Sequence, residues 1–354
     1  MRDQRTERVF FALLLATAAL AGCEEEEAPE SDASSASFEP EDVVPDAGDT
    51  AEGLDVIVAE VETERRGEPV LEETISAGFW HSCGLVSFGV HCWGYPVDVF
   101  GDDHDTVMDV YGPYTAVSAG MWHTCALRSD GFADCWGDNR EGQCDTPEEP
   151  FVQVVAGGNH SCGLREDGTA ICWGRSEDLP RGQPPETSRF IQLSAGTKWI
   201  DWYYDETCGV TFGGEIECWT SGPERNYDMG DGPFVQATLG LYHLCGLRAD
   251  GEVVCSMCDA PYCRVDENVL DQATPPAGPF ESVNAGGVHT CALRTDHTAE
   301  CWGYDASGMI RVPDWVEEFT GISAGGYNTC AMTEEGIQCW GSNTAGQSRP
   351  TVRE

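Results

Sequence analysis

The chain has 354 residues, with 19 Lys and Arg against 62 Asp and Glu, a formal net charge of −43. This balance excludes the usual electrostatic mode of nucleic-acid binding, in which cationic side chains displace counterions from phosphates, and charge-driven docking on anionic lipid headgroups. Eighteen cysteines point to an oxidising compartment, and an apolar share of 41% leaves material for a sizeable core.

Arg2, Arg5 and Arg8 precede an apolar run from Val9 to Gly22. The run is shorter than the roughly 20 residues a membrane-spanning helix needs and has the layout of a secretory signal. It ends in Leu20-Ala21-Gly22-Cys23, which resembles the lipobox of bacterial lipoproteins. The resemblance implies cleavage before Cys23, acylation of Cys23 and anchoring in the bacterial envelope, outer membrane included; the plain alternative is an ordinary signal peptide that ends near a cysteine. Glu24–Glu27 follow directly, and residues 24–74 hold 19 acidic residues against Arg65 and Arg66. Such a segment cannot bury enough apolar surface to offset its own ordering. Three parts are therefore expected: a signal peptide over 1–22, a disordered acidic tether over 23–53, and a folded body over 54–354. Leu54–Val58 and Val70-Leu71 are strand-like and are expected to belong to the body.

From residue 75 onward the chain repeats itself. Val117-Ser-Ala-Gly-Met-Trp-His-Thr-Cys-Ala-Leu-Arg-Ser-Asp-Gly and Phe132-Ala-Asp-Cys-Trp-Gly137 read almost like Val154 to Gly174, and further copies begin near 75, 193, 237, 283 and 322. Each copy contains a hairpin. Pairing Cys125 with Cys135 pairs Leu127 with Ala133 and leaves a three-residue loop, whose Gly131 supplies the left-handed backbone such loops require. In the first and last copies the cysteines stand one residue closer, so a two-residue loop keeps the register. Seven hairpins with facing cysteines predict seven disulfides: Cys83 with Cys92, Cys125 with Cys135, Cys162 with Cys172, Cys208 with Cys218, Cys245 with Cys255, Cys291 with Cys301, and Cys330 with Cys339. Cys258 and Cys263 are candidates for an eighth, which leaves Cys144 as a lone buried thiol. A repeat of about 40 residues built of short strands and Gly-rich turns predicts an all-β, seven-bladed β-propeller with one disulfide per blade. A strand from 54–74 beside the last copy is one way to close the ring.

The motif Ala-Gly-x-x-His-[Ser/Thr]-Cys-[Ala/Gly]-Leu, followed by Asp-Gly, Cys-Trp-Gly and Gly-Gln, resembles the regulator of chromosome condensation repeat in its compact, cysteine-bearing bacterial version. The resemblance spans about residues 71–349 and implies the propeller fold. It implies less about function, because function resides in sites grafted onto a fold. The nucleotide exchange and chromatin binding of the eukaryotic namesake do not suit an exported, acidic, disulfide-rich chain. Other members are binding platforms, including secreted bacterial propellers that inhibit β-lactamases.

His81, His123, His160, His243 and His289 recur at one repeat position and read as structural side chains bonding a turn in each blade, not as a metal ring. Repeat seven has Asn328 there. The recurring tryptophans, Trp93, Trp136, Trp173, Trp219, Trp302 and Trp340, read as blade-packing residues. The variable pair before each histidine is more informative. It holds Phe79-Trp80, Met121-Trp122, Leu241-Tyr242 and Gly326-Tyr327, and an insertion in repeat four adds Trp199, Trp202, Tyr203 and Tyr204. Equivalent loops lie on one face, so a binding rim rich in Trp, Tyr, Phe and Met is expected there, residue types enriched at binding hot spots; packing between blades is the bland alternative. Asp102–Asp105 and Asp228–Asp231 lack the spacing of a calcium loop, and no catalytic motif is found. The expected function is therefore non-catalytic: a monomeric envelope lipoprotein without cofactor or nucleic acid that recognises a protein or glycan on the aromatic face. Two alternatives stay open, a glycan-active hydrolase or lyase using that face, and an inhibitor of a secreted or periplasmic enzyme.

Overall fold

Seven short antiparallel sheets follow one another along the chain. The computed structural model describes residues 74–95, 106–175, 182–198, 204–221, 227–257, 270–305 and 307–349. Cys23, the tether, the expected strands in 54–73, Cys258, Cys263 and the acidic cluster at 102–105 lie outside the described residues.

Blade 1 orders β1 (Ile75–Ala77), β2 (His81–Val86), β3 (Gly89–Gly94) and β4 (Val110–Tyr111) from inside outward. Each later blade has three strands. Blade 2 is β5 (Tyr114–Ala119), β6 (His123–Arg128) and β7 (Ala133–Gly137); blade 3 is β8 (Gln153–Ala156), β9 (His160–Leu164) and β10 (Ala170–Gly174). Blade 4 is β11 (Phe190–Lys198), β12 (Tyr204–Thr211) and β13 (Ile216–Thr220); blade 5 is β14 (Phe234–Leu239), β15 (His243–Arg248) and β16 (Val253–Met257). Blade 6 is β17 (Phe280–Ala285), β18 (His289–Arg294) and β19 (Ala299–Gly303); blade 7 is β20 (Gly321–Ala324), β21 (Asn328–Thr333) and β22 (Gly336–Gly341). β1 packs against both β5 and β20, so the succession closes into a ring, a seven-bladed β-propeller.

The hairpin registers follow the alternation in the sequence. Cys125 faces Cys135 and Leu127 faces Ala133, and in the two short hairpins Val86 faces Gly89 and Thr333 faces Gly336. Among the described residues seven disulfides result, one in each blade, and their pairing is the one the repeat predicts. Cys83 is bonded to Cys92, Cys125 to Cys135, Cys162 to Cys172 and Cys208 to Cys218. Cys245 is bonded to Cys255, Cys291 to Cys301 and Cys330 to Cys339. The paired Cα atoms stand 4.0–4.1 Å apart, as directly facing residues of one hairpin do.

Among the described residues no blade has a core of its own. The apolar clusters lie between blades: Leu127 of blade 2 packs with Phe151 and Trp173 of blade 3, and Ile75 and Trp93 of blade 1 pack with Cys330 and Ile337 of blade 7. Full burial of one such large apolar side chain contributes about 1.5–3 kcal/mol, so each blade draws stability from its neighbours.

Polar bonds set the angle between blades. On the inner strands a side-chain acceptor takes the backbone N–H of the next blade: Ser76 Oγ from Ala119, Ser118 Oγ from Ala156, Ser194 Oγ from Leu239, Thr238 Oγ1 from Ala285, Asn284 Oδ1 from Ala324 and Ser323 Oγ from Ala77, all at 2.8–3.0 Å. Val155 stands at this position between blades 3 and 4, leaving there the bond from Leu193 N–H to Gln153 Oε1 at 2.7 Å; its equivalents, Ala237 N–H to Gln192 Oε1 and Val283 N–H to Gln236 Oε1, run beside the hydroxyl bonds of the next two interfaces.

The histidines form a second belt, and here the expectation is corrected: their partner is the hydroxyl of the next blade, not a turn of their own. Nε2 lies 2.7–2.9 Å from that hydroxyl in the pairs His81–Thr124, His123–Ser161, His160–Thr207, His243–Thr290 and His289–Thr329. Asn328 takes the same role toward Ser82 at 3.1 Å. The exception is between blades 4 and 5, where Glu206 and Leu244 occupy the two positions and Glu206 accepts from the Tyr227 hydroxyl at 3.0 Å.

Glutamine segments after the blades, Gly-Gln at 143 and 347 and Asp-Gln at 272, complete the belt. Gln143 O accepts from both Ser161 Oγ and Trp173 Nε1 at 3.0 Å, and Gln272 O accepts likewise from Thr290 and Trp302. Gln347, beyond the last strand, offers its carbonyl to Trp93 Nε1 at 2.8 Å and to Ser82 Oγ at 3.4 Å. The tail after blade 7 thus closes the ring onto blade 1 by the bond set that joins blades 2 and 3.

Candidate functional site

The inner strands line a central cavity of about 130 Å³. At one end each inner strand turns into the middle strand through the Gly-x-x-His step. The loops meet around the axis in a collar: Phe79 N–H donates to Gly120 O, Met121 N–H to Gly157 O, Gly287 N–H to Gly325 O and Gly326 N–H to Gly78 O. A Cβ on Gly120 would stand 2.3 Å from Gly157 O, so the collar closes only with glycine at this position.

The variable pairs sit on the collar. Phe79, Met121, Trp122 and Leu241 form one cluster, with Trp80, Tyr242 and Tyr327 packed against it. Trp80 stacks on Trp122 with ring centroids 5.8 Å apart, and Phe79 meets Trp80 and Tyr327 edge to face at 5.1 and 5.6 Å. The sequence pattern places these residues at one end; the structure adds that they turn inward. Phe79, Met121, Trp122 and Leu241 are 1–7% exposed, so they plug the axis, and the half-buried Trp80, Tyr242 and Tyr327 form the outer layer. Burial raises the Tyr242 phenol to about 12, with Tyr327 adding to the effect, and burial raises Tyr327 as well.

Two residues that the sequence reading did not single out join this end. Tyr95 and Tyr304 are the first residues after Trp-Gly in blades 1 and 6, and their N–H groups donate to Trp80 O and Val288 O, one residue before the histidine of each blade. They are 36% and 38% exposed. Their signal in the sequence is an aromatic in a slot that holds Asp138, Arg175 and Ser221 in other blades.

Blade 4 departs from the collar. Its hairpin continues through Gly196↔Glu206, Thr197↔Asp205 and Lys198↔Tyr204, beyond the point where other blades turn. Trp199, Trp202 and Tyr203 lie outside the described residues; Tyr204 is described as backbone of β12 alone. Asp205 occupies the second variable position, 2% exposed, and its Oδ1 accepts from Asn159 N–H at 2.9 Å and stands 3.2 Å from His160 Nδ1. With Thr207 on Nε2 this gives the order acid–histidine–hydroxyl known from hydrolytic triads. Its histidine–hydroxyl half is the belt bond repeated at other blade interfaces without the acid, and Thr207 is 1% exposed. The arrangement holds blades 3 and 4 together.

Elsewhere in the belt the direction of the hydrogen bonds fixes the tautomer. Ser161, Thr290 and Thr329 donate their hydroxyl protons to Gln143 O, Gln272 O and Met309 O, so His123, His243 and His289 donate from Nε2. Burial lowers His81 and His243 to about 4 and His123 and His289 to about 3. Among the described residues no group of three or more His, Cys, Asp or Glu could hold a metal ion. Cys144 is a free, half-buried thiol that donates to Asp138 O at 3.4 Å, and burial beside Asp138 and Asp145 raises it to about 12.

The opposite end carries the hairpin turns and is acidic. Its arginines are engaged: Arg128 with Asp130, Arg165 with Glu149, Arg248 with Glu252 and Arg294 with Glu300.

Comparison with known proteins agrees with this architecture. The Regulator of chromosome condensation (RCC1) repeat matches residues 114–143, 151–183 and 319–347, so the chain carries such repeats in blades 2, 3 and 7. No curated protein sequence matches the chain. Among solved structures it is similar to the ectodomain of the Physcomitrella patens receptor kinase CR4 (22% identity, 76% of this chain and 73% of that one, TM-score 0.58). It is also similar to the CRINKLY WD40 ectodomain of the Arabidopsis thaliana receptor kinase ACR4 (21% identity, 76% and 98%, TM-score 0.55). Yeast RCC1 (Prp20), solved bound to Kap60, is similar at 14% identity over 80% of this chain and 82% of that one, with a TM-score of 0.55. These likenesses establish the fold.

Proposed function

We propose that the protein is an exported recognition propeller, lipid-anchored through Cys23 and held off the membrane by the acidic tether, which takes a protein or glycan partner on the aromatic end of its ring without transforming it. One observation carries this reading: side chains from blades 1, 2, 5, 6 and 7 gather aromatic surface at the same end of the axis, the end at which blade 4 alone lengthens its hairpin. Rings already locked against one another lose little freedom on binding, a property of hot-spot residues. Seven disulfides suit an oxidising compartment. Yeast RCC1 with Kap60 is a precedent for a related ring in a protein complex.

The test is capture by the oxidised mature chain, from envelope extract and on a glycan array, beside a variant with Trp80→Ala and Tyr327→Ala whose melting is checked first. A partner retained by the first and lost by the second supports recognition at this end. Equal capture by both moves the site elsewhere on the ring, and steady turnover of a captured glycan replaces recognition with hydrolase or lyase activity. If the captured partner is itself an enzyme, its rate with and without the propeller decides whether recognition amounts to inhibition.

A further inference from the structure

We infer that the aromatic end receives a cationic segment of a partner protein, an arginine- or lysine-bearing strand or loop. This rests on the reading that this end is the recognition surface, and it specifies the chemistry received there.

Tyr95 and Tyr304 border the plug on either side of blade 7, each anchored by its own N–H while its side chain reaches solvent. Among the described residues, neither ring has an aromatic or cationic neighbour packed on it. At the opposite end the same protein shows what its aromatic rings do when a cation is within reach. Arg128 lies over Phe132, Arg248 over Phe234 and Arg294 over Phe280, with the guanidinium carbon 4.6–5.5 Å from the ring centroid. There the arginine comes from the last residue of the middle strand. At the aromatic end the middle strand begins with a buried histidine, with Asn328 in blade 7 or with Tyr204 in blade 4, and no arginine is supplied by that route. Of the arginines at this end, Arg140 and Arg311 are held by Asp138 and Asp305 at 2.8 and 2.7 Å, while Arg175 takes the slot of Tyr95 and Tyr304 on blade 3, away from both rings.

The carboxylates here point the same way. Asp305, next to Tyr304, accepts at Oδ2 from Arg311 Nε at 2.7 Å, and among the described residues its Oδ1 has no hydrogen-bond partner. The Asp305 side chain is 25% exposed through Oδ2, so a guanidinium or ammonium over Tyr304 would have a carboxylate beside it, shared with Arg311. The net charge of −43 adds a long-range field that concentrates cations at the surface and repels acidic partners. A neutral sugar would gain nothing from that field.

The test uses the oxidised mature chain and defined probes: a decapeptide of alternating arginine and leucine, its citrulline counterpart and chitohexaose, each titrated at 0.15 and 0.5 M salt. Two variants accompany it. Tyr95→Leu with Tyr304→Leu keeps apolar bulk and removes the π faces. Glu334→Gln with Glu335→Gln neutralises two exposed acids at the turn end. The arginine peptide is expected to bind, to remain bound at 0.5 M salt, to lose about tenfold in affinity on the leucine variant, at roughly threefold per ring, and to be unaffected by the glutamine variant. The citrulline peptide is expected not to bind. Equal binding to the leucine variant, or binding that vanishes at 0.5 M salt, would mean diffuse attraction to an acidic protein and overturns the inference. Ring-dependent binding of chitohexaose or of the citrulline peptide overturns it too, yet leaves the recognition surface standing. Failure to bind any probe overturns it as well, and partner capture then decides the recognition reading on its own.

Discussion

His81, His123, His243 and His289 show 0% exposure, and each bonds a hydroxyl of the neighbouring blade. Their folded pKa values, about 3 to 4, lie below the unfolded 6.5. The unfolded chain therefore binds more protons below pH 6.5, so this stability is fully present above about 6.5 and is lost as pH falls toward 4, on the order of 1.4 kcal/mol per histidine per pH unit. Relief of carboxylate repulsion acts in the other direction, so the histidine contribution is best isolated by substitution. Asn328 shows that an amide fills the slot. His123→Asn is expected to flatten the fall in melting temperature between pH 6.5 and 4.5 relative to the unaltered chain, with thermal melts across that range as the check; an unchanged slope would refute a neutral buried imidazole. The recurrence of these histidines was legible in the sequence, and so was their structural role. Their partners were not, because a hydroxyl about 40 residues away becomes a neighbour only when the ring assembles.

At the level of the hairpin, almost everything was legible. Alternation fixes which cysteines face, so Cys92, Cys172 and the other second cysteines of each repeat meet the partners their spacing assigns. Asp-Gly fixes where the strand turns. Both signals act over about ten residues, within reach of a local reading. Gly131, Gly168, Gly214 and Gly251 take φ between 79° and 87° in these turns, as a left-handed loop position requires. Blade 6 puts His297 there at φ 65°. Left-handed backbone costs a non-glycine residue about 1–2 kcal/mol, partly offset because glycine has more freedom to lose on folding. His297 also stands 3.6 Å from Glu281 in an exposed pair, worth little. His297→Gly is therefore expected to raise stability by about 0.5–1 kcal/mol, read as a rise of roughly 1–4 °C in melting temperature; a fall would assign His297 a contact beyond this turn. The aromatic pairs on the collar were legible as one face. Their inward packing was not, since the same pattern describes a rim or a plug until the loops are drawn together by the glycine collar.

The ring as a whole is less uniform than its repeats. Both inter-blade belts run through most interfaces, and both break beside blade 4: Val155 interrupts the inner belt on one side, and Glu206 with Leu244 interrupts the histidine belt on the other. Repeats four and five were visibly irregular in the sequence, but irregularity alone did not say which bonds were exchanged. Stability spreads unevenly in such a structure, and blade 4 alone lacks a belt rung at both of its interfaces, although Gln153 and Gln192 still bond across them. Hydrogen exchange under oxidising conditions is expected to show the amides of β11 to β13 exchanging sooner than those of blades 1 and 7. If the blade 7 to blade 1 interface opened first, the closure through Gln347 would be weaker than its bonds indicate.

That closure bears on where the chain needs to begin and end. Gln347 does for blades 7 and 1 what Gln143 does for blades 2 and 3, so the seam is chemically the same as an internal junction. The seven residues Cys144–Pro150 carry the chain from Gln143 at the collar end to Phe151 at the turn end. A linker of that length, joining the segment after Gln347 to the start of blade 1, would let the ring be reopened between Gln143 and Phe151. Such a circular permutant is expected to fold with the same seven disulfides and near-native melting, which peptide mapping and calorimetry would show. The order of blades along the gene is then a matter of history, while the order around the axis is a matter of physics.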